Sequence, residues 1–342
     1  MRVVVDAMGG DDAPQVVVEG AVAAARDGIQ VILVGREDAV RAQLSAHGQS
    51  AGTLPIEVVH AAQLIEMHEH PASAVRQKKD SSIAVAMRLV REGRADAYFS
   101  AGNSGATMAA ALFALGRLEG VHRPAIGGIL PLLRGQCFLV DIGANTDCDP
   151  QNLLQFAQMG AAYMEQVYHM RRPRIGLVSN GEEETKGNAL VQATYPLLKQ
   201  SGLNFVGNVE GKDITRGAAD VVVTDGFTGN VMLKLAEGMQ ELILNLVREA
   251  VKSTVINQIA GAVLRPALRR AGKRLDYTEY GGAPLIGVNG AVFIGHGRSD
   301  AKAIGNGIRA AAQAAQAGYV EKLQASLLAG TTAPSTIVPS PS

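Results

Sequence analysis

Lys186 stands in the run Ser179 to Asn188, Ser-Asn-Gly-Glu-Glu-Glu-Thr-Lys-Gly-Asn, directly after the apolar residues Ile175 to Val178. A turn leaving a strand needs little beyond Gly, Asn and Asp. Three carboxylates and a lysine in one short loop point instead to a cation that is held and aimed. Gly102-Asn103-Ser104-Gly105 carries a different chemistry. It sits where a helix opens, so free backbone N–H groups and the positive end of the helix dipole favour an anion, with phosphate the natural guest. Asp225 to Asn230 repeats that arrangement, with Thr228 and Asn230 as side-chain donors. A tight turn accounts for either loop taken singly. His296, between Gly295 and Gly297 after an apolar run, has an accessible ring suited to a ligand or to a plain turn.

Other chemistries fail on spacing. Neither G-x-G-x-x-G nor G-x-x-x-x-G-K-[ST] occurs, so nucleotide binding has no local support, and the Ser104 loop lacks the spacing of a nucleophile elbow. His68 and His70 have no third ligand in view, and no metal is expected. Cys148, between Asp147 and Asp149, has neighbours that raise a thiol pKa and blunt it as a nucleophile.

The loops follow short apolar runs: Val3 to Val5, Ala97 to Phe99, Phe138 to Val140, Ile175 to Val178 and Val221 to Val223. Continuous Val/Ile/Leu without alternation means burial on both faces, hence an α/β fold of three layers with a mainly parallel sheet. Helices are expected over Ser81 to Glu92, Thr107 to Leu118 and Asn152 to Tyr168. Loops leaving parallel strands gather on one sheet edge, which is the expected active site.

With 342 residues, 47% hydrophobic and 19% charged, the chain can bury a large core, and 39 glycines suit close backbone approaches in loops. Thirty-two basic residues against 32 acidic ones leave no field for a dedicated nucleic-acid binder. Two cysteines, a short apolar start and no long apolar run lead us to expect a cytoplasmic chain, neither exported nor membrane-spanning. Residues 1–330 are expected to form one α/β catalytic domain with a helical excursion at about 232–280, and the Ala/Pro/Ser/Thr-rich stretch 331–342 a disordered tail.

Taken in order, Asp6-Ala7-Met8-Gly9-Gly10-Asp11, Ser100 to Ala106, Asp141-Ile142-Gly143-Ala144-Asn145, Ser179 to Asn188, Asp225 to Asn230 and Gly281 to Gly290 resemble the successive motifs of the PlsX family of bacterial phosphate acyltransferases. The likeness runs from residue 1 to about residue 325. It implies an architecture like isopropylmalate dehydrogenase and phosphotransacetylase, and transfer of a fatty acyl group from acyl carrier protein to inorganic phosphate for phospholipid synthesis, without a cofactor. It also implies a homodimer in peripheral contact with the inner face of an anionic membrane, near the downstream membrane glycerol-phosphate acyltransferase. On that reading Lys186 and Asn230 are catalytic, and Asp6, Asn103, Ser104, Asn145, Asn180, Asp225, Thr228 and His296 bind substrate. The chemistry agrees: phosphate is already a nucleophile and a thiol leaves easily, so placement and charge stabilisation suffice.

Between Lys252 and Arg274 there is no acidic residue. Arg265, Arg269 and Arg270 alternate with Val255, Ile259, Val263 and Leu264, a pattern that suits an anionic membrane surface, acidic carrier protein or a dimer-forming helical pair. Three other functions remain: a short-chain acyl-CoA phosphotransacylase, an NAD-dependent decarboxylating dehydrogenase, and a non-catalytic membrane scaffold. The basic segment argues against the first, missing metal-binding aspartates against the second, and the polar loops against the third.

Overall fold

The computed structural model describes residues 1–48, 52–132, 135–275, 279 and 281–331; the tail expected over 331–342 lies, past Thr331, outside the described residues. Among the described residues eleven strands form one sheet: β1 (Arg2–Asp6), β2 (Gln30–Gly35), β3 (Ile56–His60), β4 (Ala97–Ser100), β5 (Ala125–Pro131), β6 (Gln136–Val140), β7 (Ile175–Val178), β8 (Phe205–Val209), β9 (Val221–Val223), β10 (Ala283–Ile286) and β11 (Ala291–Ile294). The helices are α1 (Gln15–Arg26), α2 (Glu37–Ala46), α3 (Pro71–Gln77), α4 (Ser82–Arg91), α5 (Ser104–Ala114), α6 (Pro150–Val167), α7 (Ala189–Gln200), α8 (Gly211–Ile214), α9 (Gly226–Lys252), α10 (Val255–Leu275), α11 (Ala301–Gln316) and α12 (Tyr319–Thr331).

Each apolar run became a strand buried on both faces. Val3 and Val5, Phe99, Phe138 and Val140 pack into one apolar cluster, while Val4, Tyr98 and Leu139 pack into another on the opposite face. That alternation is the three-layer arrangement expected from the sequence. Helix ends follow their caps. Ser81 accepts the Ala84 N–H ahead of α4, and Asp149 with Asn152 forms a reciprocal box opening α6. The helix α5 starts a turn before the expected Thr107, because Asn103 caps it, and ends at Ala114.

Strand direction differs from a single parallel sheet. The order is β3-β2-β1-β4-β11-β10-β5-β6-β9-β7-β8, with β10 antiparallel to β11 and to β5, and β5 antiparallel to β6. The strands β6, β9, β7 and β8 therefore run opposite to β3, β2, β1, β4 and β11. The two halves overlap at one row. Val5 lies level with Phe99, Phe99 with Phe293, and Phe293 with Pro284; across the β10/β5 seam, Gly127 faces Val140, which pairs with Val223 and then Leu177. The C-terminal ends of both halves thus face each other at mid-sheet, and the polar loops after β1, β4, β6 and β11 meet there and not at one edge.

The helices α9 and α10 carry many exposed apolar side chains. At 27 residues, α9 reaches about 40 Å. Among the described residues, no helix is long and apolar enough to cross a membrane.

Candidate active site

Between the facing strand ends lies a cleft of about 400 Å³. The loop after β4 brings Gly102 and Ser104, the loop after β6 brings Ile142 and Gly143, the loop after β11 brings His296 and Arg298, and α9 brings Asn230 and Lys234. Backbone contacts set these loops in register. Buried Asp6 accepts the Ser100 hydroxyl at 2.8 Å and the Met8 N–H at 3.1 Å, and Ser100 Oγ in turn accepts the Gly102 N–H at 2.9 Å. Gly295 donates to Ser100 O and Asp11 to Gly297 O, so the His296 loop is tied to the loops of β1 and β4.

Glycine lets α9 come close. A Cβ on Gly229 would lie 1.9 Å from Asp141 O and one on Gly226 2.6 Å from Asn145 O, so the first turn of α9 rests directly on the β6 loop. Buried Asp141 organises that loop, accepting N–H groups from Gly143, Ala144 and Asn145. Asn230 Nδ2 donates to Ile142 O at 3.0 Å, and Lys234, one turn further, follows on the same face of the helix.

Lys234 is the cation nearest the cleft's histidine. Its Nζ stands 3.1 Å from His296 Nε2 and 2.8 Å from Glu237 Oε2, while the Arg298 N–H lies 3.2 Å from His296 Nδ1. A neutral imidazole offers one acceptor nitrogen, so a ring between two donors resists a second proton. Burial first, and the Lys234 ammonium second, hold His296 below the ordinary histidine pKa. Arg298 adds positive charge to the lining. Phosphate would find two cations there, with the carboxylates of Asp11 and Glu237 in the same lining.

The residues singled out from sequence divide into those the cleft gathers and those it does not. Ser104, Asn230 and His296 line it. Asp6 and Asn145 lie behind it as supports; the Asn145 amide donates to Pro124 O and to Asp141. Asn103 is engaged at both ends of its amide, accepting the Ala106 N–H and donating to Glu66 O and Met67 O. Asp225 caps α9, taking both the N–H and the hydroxyl of Thr228. That helix N-terminus already holds a carboxylate where sequence suggests phosphate.

Lys186 and Asn180 line a different, open hollow with Glu182, Glu183 and Glu210. The strand β9 is inserted between β6 and β7, which sets the β7 loop about 10 Å further along the sheet than the β6 loop. Asn180 accepts the Gly187 N–H, and Glu184 pairs with Lys199 at 3.0 Å. Glu182, Glu210 and Asp213 bring carboxylate oxygens within 4.8 Å of one another, the one such metal-type group among the described residues, and Lys212 pairs with Glu210. The field around Lys186 is therefore acidic, a poor setting for phosphate.

The sequence profile of the family described as fatty acid synthesis protein matches residues 1–322. A phosphate acyltransferase of Heliobacterium modesticaldum is 50% identical over 325 residues, spanning 95% of this chain and 97% of that one. The chain belongs to this family. A phosphate acyltransferase of Pelotomaculum thermopropionicum is 49% identical over 328 residues, spanning 96% and 95% of the two chains. Among solved structures, a phosphotransacetylase from Streptococcus pyogenes superposes with a TM-score of 0.61 at 19% identity, covering 92% of this chain and 94% of the other. That likeness concerns the fold.

Within the family fold, the sequence reading passes over the two cations of the lining. Lys234 stands in no loop motif, yet it lies at i+4 from Asn230, a spacing that would have found it; Arg298 stands in the His296 loop itself, two residues past the histidine. Cys148 is blunted as expected, its thiol pushed up to about 11, but chiefly by burial and by Asp141 and Asp225, not by its sequence neighbours.

Proposed function

We propose that this chain transfers a fatty acyl group from acyl carrier protein to inorganic phosphate, giving acyl phosphate for phospholipid synthesis. One observation carries the reading: a single cleft is lined both by the cations Lys234 and Arg298 and by the aliphatic side chains of Ile126, Ile142 and Leu233. A phosphate oxygen attacks the thioester carbon, the carbonyl electrons move to oxygen, and collapse of that oxyanion expels the thiolate as the C–S bond breaks. Lys234 stabilises phosphate or the oxyanion, neutral His296 orients the lysine, and the Ser104 hydroxyl and the second Asn230 N–H add donors. The 50% identity to proteins named phosphate acyltransferase supports the same reaction.

The exposed faces suit the partners. Phe227, Val231, Leu235, Met239, Leu242 and Leu246 recur every three or four residues along α9, an unpartnered stripe that fits a second copy. On α10, exposed Val255, Ile259, Val263 and Leu264 accompany Arg265, Arg269 and Arg270, which suits peripheral contact with an anionic membrane. The decisive assay supplies palmitoyl-loaded carrier protein with and without phosphate and traps acyl phosphate with hydroxylamine, beside acetyl-CoA as a short-chain control. Phosphate-dependent acyl hydroxamate from palmitoyl-carrier is the expected product; thioester turnover that ignores phosphate would end the proposal.

A further inference from the structure

Two neighbouring glycines of β5 stand in opposite situations. A Cβ on Gly127 would lie 1.9 Å from the Phe138 ring, so packing demands glycine there. At Gly128 an added Cβ would meet, within 4 Å, only the Ile142 Cδ1 at 3.0 Å, the movable tip of a side chain. The backbone there is not in the left-handed region either. Neither packing nor φ requires a glycine, and glycine weakens a strand interior. What Gly128 does is leave the cleft floor bare.

The surroundings of that bare floor are hydrocarbon. Ile126, Ile129, Ile142 and Leu233 of α9 line the cleft with it. A pantetheine arm, with two amides, would find no polar side chain among those four neighbours. An alkyl chain needs none. We propose that this arm of the cleft receives the acyl chain and that the absent side chain at Gly128 sets how long a chain it admits. The proposal rests on the acyl-transfer reading above and adds the subsite to it.

The test is a chain-length profile of kcat/KM for Gly128→Ala and Gly128→Leu with acetyl, butyryl and palmitoyl donors on carrier protein. Each methylene removed from an apolar site weakens transition-state binding about fourfold. Gly128→Leu therefore lowers the palmitoyl value about tenfold or more and leaves the butyryl and acetyl values within about twofold. Gly128→Ala gives a smaller shift in the same sense, and preserves the test if the leucine variant does not fold. An equal fall for all donors in a folded variant, or an unchanged palmitoyl value, overturns the subsite. If the unaltered protein yields no acyl phosphate from any donor, the underlying reaction fails instead, and the two failures are told apart by that control.

Discussion

Replacing Lys234 by alanine discriminates most sharply between the cleft and the Lys186 hollow. A unit charge about 4 Å from a developing oxyanion is worth ~1 kcal/mol in bulk water and ~4 kcal/mol at an effective dielectric near 20. The Lys234 side chain is 50% exposed, which places it between those limits, at about 2 to 3 kcal/mol. Loss of one preorganised oxyanion donor commonly has that size. Lys234→Ala should therefore lower kcat/KM for acyl-phosphate formation about 30- to 150-fold, and Lys186→Ala about threefold at most. Because Glu237 would be left unmasked, the double change Lys234→Ala, Glu237→Gln separates the missing cation from the exposed carboxylate. A second readout concerns protons. Lys234 helps to hold the His296 pKa down, so its removal raises that pKa and moves the acid limb of the pH–rate profile to higher pH. Folding follows the same sign: with His296 harder to protonate folded than unfolded, the unfolded chain binds more protons as pH falls below the ordinary histidine value, and stability declines through that window until the folded ring itself titrates. Steady-state kinetics and histidine NMR on both variants decide. If Lys186→Ala is crippled while Lys234→Ala stays within threefold, the placement of phosphate in the cleft is wrong.

Three further outcomes are expected. Gly229→Ala forces a Cβ against Asp141 O, so α9 must lift; urea denaturation should register a loss of about 3 kcal/mol, and a wild-type midpoint would refute the close approach. If the apolar stripe of α9 holds the proposed second copy, Leu242→Glu with Leu246→Glu puts charge on it and should lower the mass by light scattering to that of one chain, whereas an unchanged mass would dismiss that face as the interface. On the proposed peripheral contact, changing Arg269 and Arg270 to Glu should weaken flotation with anionic vesicles, each lost positive charge costing roughly 1 kcal/mol, and flotation identical to the unaltered protein would dismiss α10 as that contact.

The five apolar runs were legible in the sequence because each rests on local periodicity, and the polar loops after them because Gly, Asn and Asp cluster there. Val3 to Val5 cannot alternate core and solvent, and Asn103 and Asp225 sit one residue before a helix. The same locality misleads about what a cap does. Asp225 and Thr228 read as open donors and acceptors, yet in the folded chain they satisfy one another.

By itself the sequence determined a doubly covered sheet and the polar loops that follow its strands, and it marked a basic, apolar segment between Lys252 and Arg274. Tertiary structure alone decided which loops share a site. The joining of the two halves depends on the long-range pairing of β10 with β5, Leu285 with Ile126, which leaves no mark on local periodicity. The insertion of β9 between β6 and β7 carries Lys186 away, and two glycines press α9 onto the β6 loop so that Lys234 comes within reach of His296. A dense loop announces charge; strand order determines what that charge faces.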